Sequence, residues 1–294
     1  RTLADPTTLE YGATRGAGYR NHTVAWTTGT GVALGTGDAL DQRLEGSIEP
    51  SPEYDENLAP HGGVGLQRYG IVSAQKWAGA IKVQYLFASA IHRMVAALFG
   101  SETVASLGSG AHTHLFQFSA ESLQLGSYCY AANLLAHDHP TVVVDSFAPT
   151  WEAGKIPVAE FGLTSRRELI DGTGLSPLAN MTAALVTFPT QPTTLYPIWD
   201  TNATARLKTV TGSEAVLGSG DNQTISKVAL KFGRKREQFT TNANTPYIDL
   251  PRGGAWLECG GALTFPVTSV AAEWTRIATM QEPKLEIAIT GALL

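Results

Sequence analysis

Two pairs of histidines, His112-Thr113-His114 and His137-Asp138-His139, are the first places in this 294-residue sequence where chemistry is conceivable. Residues two apart in an extended segment project from the same face, so each pair offers two imidazoles to one metal ion. Neither pair is completed by a cysteine or by a glutamate in a helical metal motif, and histidines packed against aromatic neighbours are the preferred reading. No metal or other cofactor is therefore expected. Nucleophilic catalysis has little more support. The Gly-x-Ser-x-Gly elbow is absent, and Gly108-Ser109-Gly110 and Gly218-Ser219-Gly220 read as turns. The glycines from Gly29 to Gly37 imitate a phosphate loop but lack its Gly-Lys-Ser/Thr ending and a preceding strand. No catalytic residue is assigned.

Charge offers more. Asp38, Asp41, Glu45, Glu49, Glu53, Asp55 and Glu56 follow one another with few basic residues between them, and Pro50, Pro52 and Pro60 exclude regular helix. The stretch Asp38 to Gly70 is thus expected to be a long acidic loop or arm. Lys231, Arg234, Lys235 and Arg236 form the one basic cluster, at the end of a predicted strand. A nucleic-acid patch calls for aromatic residues interleaved on a basic face, whereas the net charge here is -5. Contact between copies of the chain is favoured, with Asp41, Glu45, Glu49, Glu53, Asp55 and Glu56 facing Lys231, Arg234, Lys235 and Arg236.

Composition points the same way. Charged residues make up 16% of the chain, against ~25% in ordinary soluble domains, and Thr, Ser, Gly and Asn fill the difference. Small polar groups cost little to desolvate, which suits extended contact with identical neighbours. The two cysteines, Cys129 and Cys259, follow no redox or metal spacing and are read as buried thiols. The most apolar stretch, Leu86 to Phe99, carries His92 and Arg93 in its middle and falls short of the ~18 apolar residues of a membrane span. Nor does the start, Arg1 to Pro6, hold an apolar signal core.

The elements that must position these groups are mostly strands. The segment up to Gly37 is rich in Gly and Thr, with one short alternation at Val24 and Trp26, and predicts extended arms and loops. Ile81, Val83 and Tyr85 alternate with Lys82 and Gln84 as in a half-buried strand. From Leu86 the apolar spacing becomes helical and ends at Gly100, a residue suited to a helix C-cap. Strands are predicted at 115–119, 123–130, 142–147 and 156–163, then at 184–188, 205–210, 226–232, 256–265 and 284–289, with a short helix at 269–280. Strand following strand favours antiparallel sheets, and Asp171 to Pro177 reads as a linker. A strand, helix, strand order in each half suggests an internal repeat at the level of pattern, without residue-level similarity. It gives two units, 1–175 with the arm and acidic loop and 176–294.

Several segments together resemble the tail tube (major tail) proteins of long-tailed, non-contractile phages, the siphophages. They are Leu44-Glu45-Gly46-Ser47-Ile48-Glu49-Pro50, the Gly-led strand running into a helix that ends Ala97-Leu98-Phe99-Gly100, Ala111-His112-Thr113-His114-Leu115-Phe116, Val144-Asp145-Ser146-Phe147 and Trp151-Glu152-Ala153-Gly154-Lys155-Ile156. The resemblance implies a mainly β fold with some α, an antiparallel β-sandwich or barrel with a flanking helix, the duplicated form being favoured by the chain length. It also implies a structural protein rather than an enzyme. The implied partners are copies of itself in stacked rings, as trimers with pseudo-sixfold symmetry or as hexamers, with the tape measure protein in the lumen and the tail terminator and distal tail proteins at the ends. DNA would pass through unbound, and the protein would sit in the virion's tail after assembly in the host cytoplasm. The alternative is a secreted β-sandwich module binding carbohydrate or another ligand, with Trp26, Trp77, Trp151, Trp199, Trp256 and Trp274 as candidate platforms.

Overall fold

The computed structural model describes residues 17–27, 31–40, 43–57, 69–84, 90–108, 111–120, 123–132, 135–170, 203–209, 217–237, 247–266 and 283–289. These are mostly strands in antiparallel sheets, with one α-helix, as the sequence predicts. The first half contains β1 (Ala17–His22), β2 (Arg43–Asn57), β3 (Tyr69–Gln84), the helix α1 (Ile91–Phe99), β4 (Gly100–Gly108), β5 (Ala111–Phe118), β6 (Leu125–Ala132), β7 (Leu135–Glu152), β8 (Val158–Ser165) and β9 (Leu169–Ile170). The second contains β10 (Ala203–Thr209), β11 (Asn222–Gln223), β12 (Lys227–Glu237), β13 (Arg252–Thr264) and β14 (Pro283–Ile289). The strand at 184–188, the linker at 171–177 and the helix at 269–280 lie outside the described residues. No helix among those described is long and apolar enough to cross a membrane.

One sheet of nine strands holds the molecule together, and β7 is its axis. The first part of this long strand pairs with β6 on one side and β9 on the other; its second part pairs with β12 and β8. Its second part thus belongs to a run β13-β12-β7-β8-β3-β2, with β2 and β13 as outer strands. The proposed division at residue 175 falls between strands of this one sheet, since β12 pairs with β7. Val142, Val143 and Val144 are all fully buried in β7, where a half-buried strand would alternate. Both faces are covered: Val142 and Val144 join a cluster with Tyr19, Ile81, Met94, Leu98 and Phe161, and Val143 joins Trp26, Ala74, Leu125 and Ile248.

The helix α1 covers the first of these faces. Ile91, Met94, Val95 and Leu98 are buried there, each worth roughly 1.5–3 kcal/mol. Gly100 ends the helix with φ 87° and donates its N–H to Ala96 O, the left-handed cap predicted from sequence. The helix begins at Ile91, later than the apolar periodicity suggests.

Two expectations are corrected. The first segment is not all arm and loop: β1 pairs along its whole length with β6, and Tyr19 is fully buried. Its ring lies over Gly126, where an added Cβ would come within 2.3 Å of it. Within the acidic stretch, Arg43–Asn57 is strand β2, paired with β3, and not a loop, while residues 58–68 lie outside the described residues. Prolines are tolerated because β2 is an outer strand; Pro50 and Pro52 lie two apart, so both missing N–H groups fall on the side away from β3.

One short turn occurs twice in the chain. Leu34-Gly35-Thr36-Gly37-Asp38 and Leu217-Gly218-Ser219-Gly220-Asp221 form the same 3-10 turn, and each aspartate accepts the N–H of the glycine three residues before it, at 2.7 and 2.9 Å. Leu34 and Leu217 are both buried. The residue after each turn pairs with an earlier strand, Ala39 with Gly18 and Asn222 with Arg206. The second turn leads into a three-stranded sheet, β11-β10-β14. Through Ala205, Ile225 and Ile287 it packs on Val228, Leu230 and Leu263 of the β12–β13 hairpin.

His22 ties β1 to β7 and carries a pH dependence. Val24 N–H donates to its Nδ1 at 3.1 Å, so Nε2 carries the proton and donates to Pro140 O at 3.0 Å. Burial lowers its pKa below the ordinary 6.5, outweighing the hydrogen bonds to Pro140 and Gly126 that favour the charged ring. A group that binds protons less well folded than unfolded contributes its full stability above the unfolded value and loses it as pH falls below that value. Acidification from about pH 7.5 to about pH 5.5 is thus expected to lower the melting temperature more for the wild type than for His22→Gln. Equal slopes in thermal melts would remove His22 from this account.

Candidate functional site

Two strand pairs, β4–β5 and β12–β13, present apolar side chains to solvent. β4 and β5 form a separate two-stranded sheet that starts at the helix C-cap and folds back along α1. Phe116 packs against Phe99, and Ser119 N–H donates to Phe99 O at 2.8 Å. Val104 (51%), on the face that also carries Glu102 and His114, and Leu115 (53%), on the opposite face, are both exposed to solvent. A hairpin of two strands is marginal alone, so α1 supports one face and leaves Leu115 exposed on the other.

The second hairpin is β12–β13. Its register slips between Arg234↔Leu257 and Arg236↔Gly253, so that Gly254, Ala255 and Trp256 stand opposite Lys235 alone. Such an irregularity re-aims side chains, and Trp256 emerges 81% exposed. Lys231 and Lys235 are exposed on β12, and Cys259, Gly260, Gly261 and Ala262 are exposed on β13. Cys129 is buried as expected, but Cys259 is not, because β13 is an outer strand with no described element over that face.

The sequence-predicted contact residues divide accordingly. Glu49 and Glu53 are exposed on β2, while Ile48, next to Glu49, faces the core. Glu49 accepts a hydrogen bond from Ser47 Oγ at 2.8 Å, and Glu53 lies 3.8 Å from Lys76 Nζ. Asp55 and Glu56 continue the same strand, opposite Ile71 and Gly70. Asp41 and the side chains of Glu45, Asp55 and Glu56 lie outside the described residues. Lys231 and Lys235 remain available on the surface.

Arg234 and Arg236 are corrected, for both are committed inside the subunit. The Arg236 side chain is 2% exposed, its Nε lies 3.1 Å from Asp145 Oδ1, and its Nη2 donates to Val144 O at 3.0 Å. Arg234 donates to Ala120 O at 2.6 Å, with its guanidinium 5.2 Å from the Phe118 ring. The bulge-side end of β12 leaves β7 after Ser146, and these two arginines bridge the gap to β7 and β5. Burial pulls Arg236 down to about 10, so it stays charged at neutral pH beside Asp145, whose carboxyl burial pushes up against the opposing pull of Thr164 and Arg236.

The histidine pairs separate too. His137 stacks on Tyr130 with centroids 4.5 Å apart, and its Nδ1 lies 2.7 Å from Glu168 Oε1. His139 is fully buried, stacked on Tyr128 and Tyr130. This pair is packed against aromatics, as preferred from the sequence. Burial works to raise the Glu168 carboxyl, but the His137 hydrogen bond and the charges of His139 and His137 outweigh it and hold the group below its usual range. His114 also stacks on an aromatic ring, Phe116, yet it meets two groups that sequence spacing did not single out, His92 on α1 and Glu102 on β4.

Set against known proteins, the chain matches no protein-family model and no curated sequence.

Proposed function

We propose that this chain is a structural subunit of a siphophage tail tube, assembling with copies of itself into stacked rings around a channel for DNA ejection. The observation that carries the reading is the pair of hairpins, β4–β5 and β12–β13, which present Val104, Leu115 and Trp256 to solvent beside strand edges unpaired among the described residues. Exposed edges with apolar side chains promote association, and a ring that closes on itself is a way to cover them. The six-strand run ends in the acidic β2 on one side and in β13, next to Lys231 and Lys235, on the other. An edge that differs from its opposite edge makes head-to-tail contacts, which close into rings by rotation and stack along the axis. Pro50 and Pro52 keep the β2 edge from forming a continuous ladder, so side chains and charge set that contact.

On this reading the role of the chain is shape rather than reaction. The recurrent turn at Leu34 and Leu217 favours two related modules per chain, hence trimeric rings of pseudo-sixfold symmetry over hexamers. The tape measure protein would occupy the lumen, and the tail terminator and distal tail proteins would cap the stack. The acidic balance of the chain lets DNA pass without binding.

Negative-stain microscopy of the purified chain is expected to show rings or tubes of one diameter. Cys259 provides an internal reporter, since it is the exposed cysteine and lies on β13. Its labelling by a maleimide is expected to slow as rings form. A monomer at all concentrations, with a labelling rate that never changes, would sink the proposal; binding of polysaccharide by that monomer, quenched at Trp256, would establish the carbohydrate-module reading instead.

A further inference from the structure

We propose that His92, Glu102 and His114 form a binding site for a divalent transition-metal ion of the zinc type, which clamps the β4–β5 hairpin onto α1. The three residues come from three elements. His92 is in the first turn of α1, Glu102 is on β4 and His114 is on β5. The hairpin register places Glu102 opposite Phe116 and Val104 opposite His114, so Glu102 and His114 are diagonal neighbours on one face. Because the hairpin folds back along the helix, that face meets His92, and the two imidazole rings lie 4.8 Å apart between centroids.

The donor atoms of the three residues all lie within 4.8 Å of one another. Ligands of a tetrahedral zinc ion sit about 3.3 Å apart, given metal–ligand bonds of ~2.0–2.1 Å. Small rotations of half-buried side chains close that difference. Two imidazoles and one carboxylate are a donor set that zinc takes with its fourth position open to water. The groups are already partly gathered, with His114 Nδ1 2.7 Å from Glu102 Oε1. A metal held by Nδ1 replaces that contact, while a metal held by Nε2 leaves Glu102 to orient the ring.

The surroundings leave the site open, and two carboxylates face two arginines there. The three residues line an open cleft of about 530 Å³ together with Arg20, Asp38 and Arg93. Asp38 is ion-paired to both arginines and offsets one of their two charges, and Arg93 also feels the Glu102 carboxylate. The Glu102 carboxylate remains to neutralise the metal. His112, exposed on the same strand, stands 6.5 Å from His114 between ring centroids and is a candidate for the fourth position. Binding requires unprotonated imidazoles, so protons and the metal compete for the same nitrogens. The groups facing the site that bear on this competition are Glu102, His112, Arg20, Arg93 and Asp38.

The test uses the full-length chain stripped of metal by a chelator and kept unassembled, so it is independent of the tail-tube reading. Titration with zinc chloride by calorimetry is expected to show one equivalent bound per chain and a raised melting temperature. Cobalt(II) in place of zinc is expected to give the visible absorption of a tetrahedral N/O site. His92→Ala and His114→Ala are each expected to weaken binding about a hundredfold or more, since even the outer partners of metal ligands are worth 10–100-fold. Where an alanine variant loses its fold by circular dichroism, His92→Gln and Glu102→Gln preserve size and polarity and are read in the same way. Absence of saturable binding, or undiminished binding in the His92→Ala, His114→Ala double variant, overturns the proposal.

Discussion

Arg236→Met is expected to destabilise the subunit by about 3–5 kcal/mol, a fall in melting temperature on the order of 10 °C. The guanidinium is buried, its charge faces Asp145, and its Nη2 satisfies the carbonyl of Val144 at the point where β12 parts from β7. Methionine restores the volume but removes the donor to the Val144 carbonyl and the ion-pair partner of Asp145. The sign of the pH dependence follows. Asp145 already has a raised pKa, from burial first, and losing Arg236 removes one of the charges that lowers it. Above the folded value the variant carries a buried unpaired charge; below the unfolded value both states are protonated and that cost is gone. The deficit in urea midpoint is thus expected to shrink on acidification. Adding Asp145→Asn is expected to recover part of it, since the pair, once both charges are removed, leaves no ion uncompensated. A deficit of under about 1 kcal/mol, or one that grows in acid, would show that this pair is not what anchors β12.

How much of this was legible in the sequence depends on where each signal resides. The switch from strand to helix and the stop at Gly100 are local, set by periodicity and by the one residue type that adopts φ 87° at no steric cost, and both are found in the structure. Strand β1 is not local. Its sequence, Ala-Gly-Tyr-Arg-Asn-His, has little alternation, and what draws Tyr19 inward is space above Gly126, more than a hundred residues later in the chain. Strand β2 looks like a loop in the sequence because proline penalises helix and central strand alike; only the sheet order shows that β2 is an outer strand among the described residues, where the penalty vanishes. Arg234 and Arg236 share a run of basic residues with Lys231 and Lys235, yet strand alternation alone turns the former inward to β7 and β5 and the latter out. The site at His92, Glu102 and His114 depends on a hairpin register that no spacing rule supplies, which is why His-x-His drew notice and its real neighbours did not. The repeated Leu-Gly-Thr/Ser-Gly-Asp turn was visible in the letters but is too short to stand out until its two copies share one geometry.

The largest effect on assembly is expected at Trp256. Replacing it with glutamate is expected to abolish rings and tubes while leaving the melting temperature of the subunit unchanged, because an indole 81% exposed contributes little to the isolated fold. Within an interface the same indole buries on the order of 150–250 Å², worth roughly 4–6 kcal/mol of gross transfer free energy, and that loss recurs at every contact around a ring. The edge that receives it can be identified by charge. If β13 meets β2 of the next copy, Glu49→Lys with Glu53→Lys places like charges against Lys231 and Lys235, and mixing these variants with wild type is expected to poison rings. Lys231→Glu with Lys235→Glu in the same chain is expected to restore them, since reversal on both edges returns complementarity. Neither pair of positions is used in the core: Glu49, Glu53, Lys231 and Lys235 are all exposed. Rescue therefore reports contact between copies and not repair of the fold. Rings that persist in Trp256→Glu would move the interface away from β13. Rings lost there but indifferent to both reversals would leave β13 in the interface and exclude β2 as its partner, which makes the β4–β5 hairpin, with Val104 and Leu115 exposed, the surface to probe next.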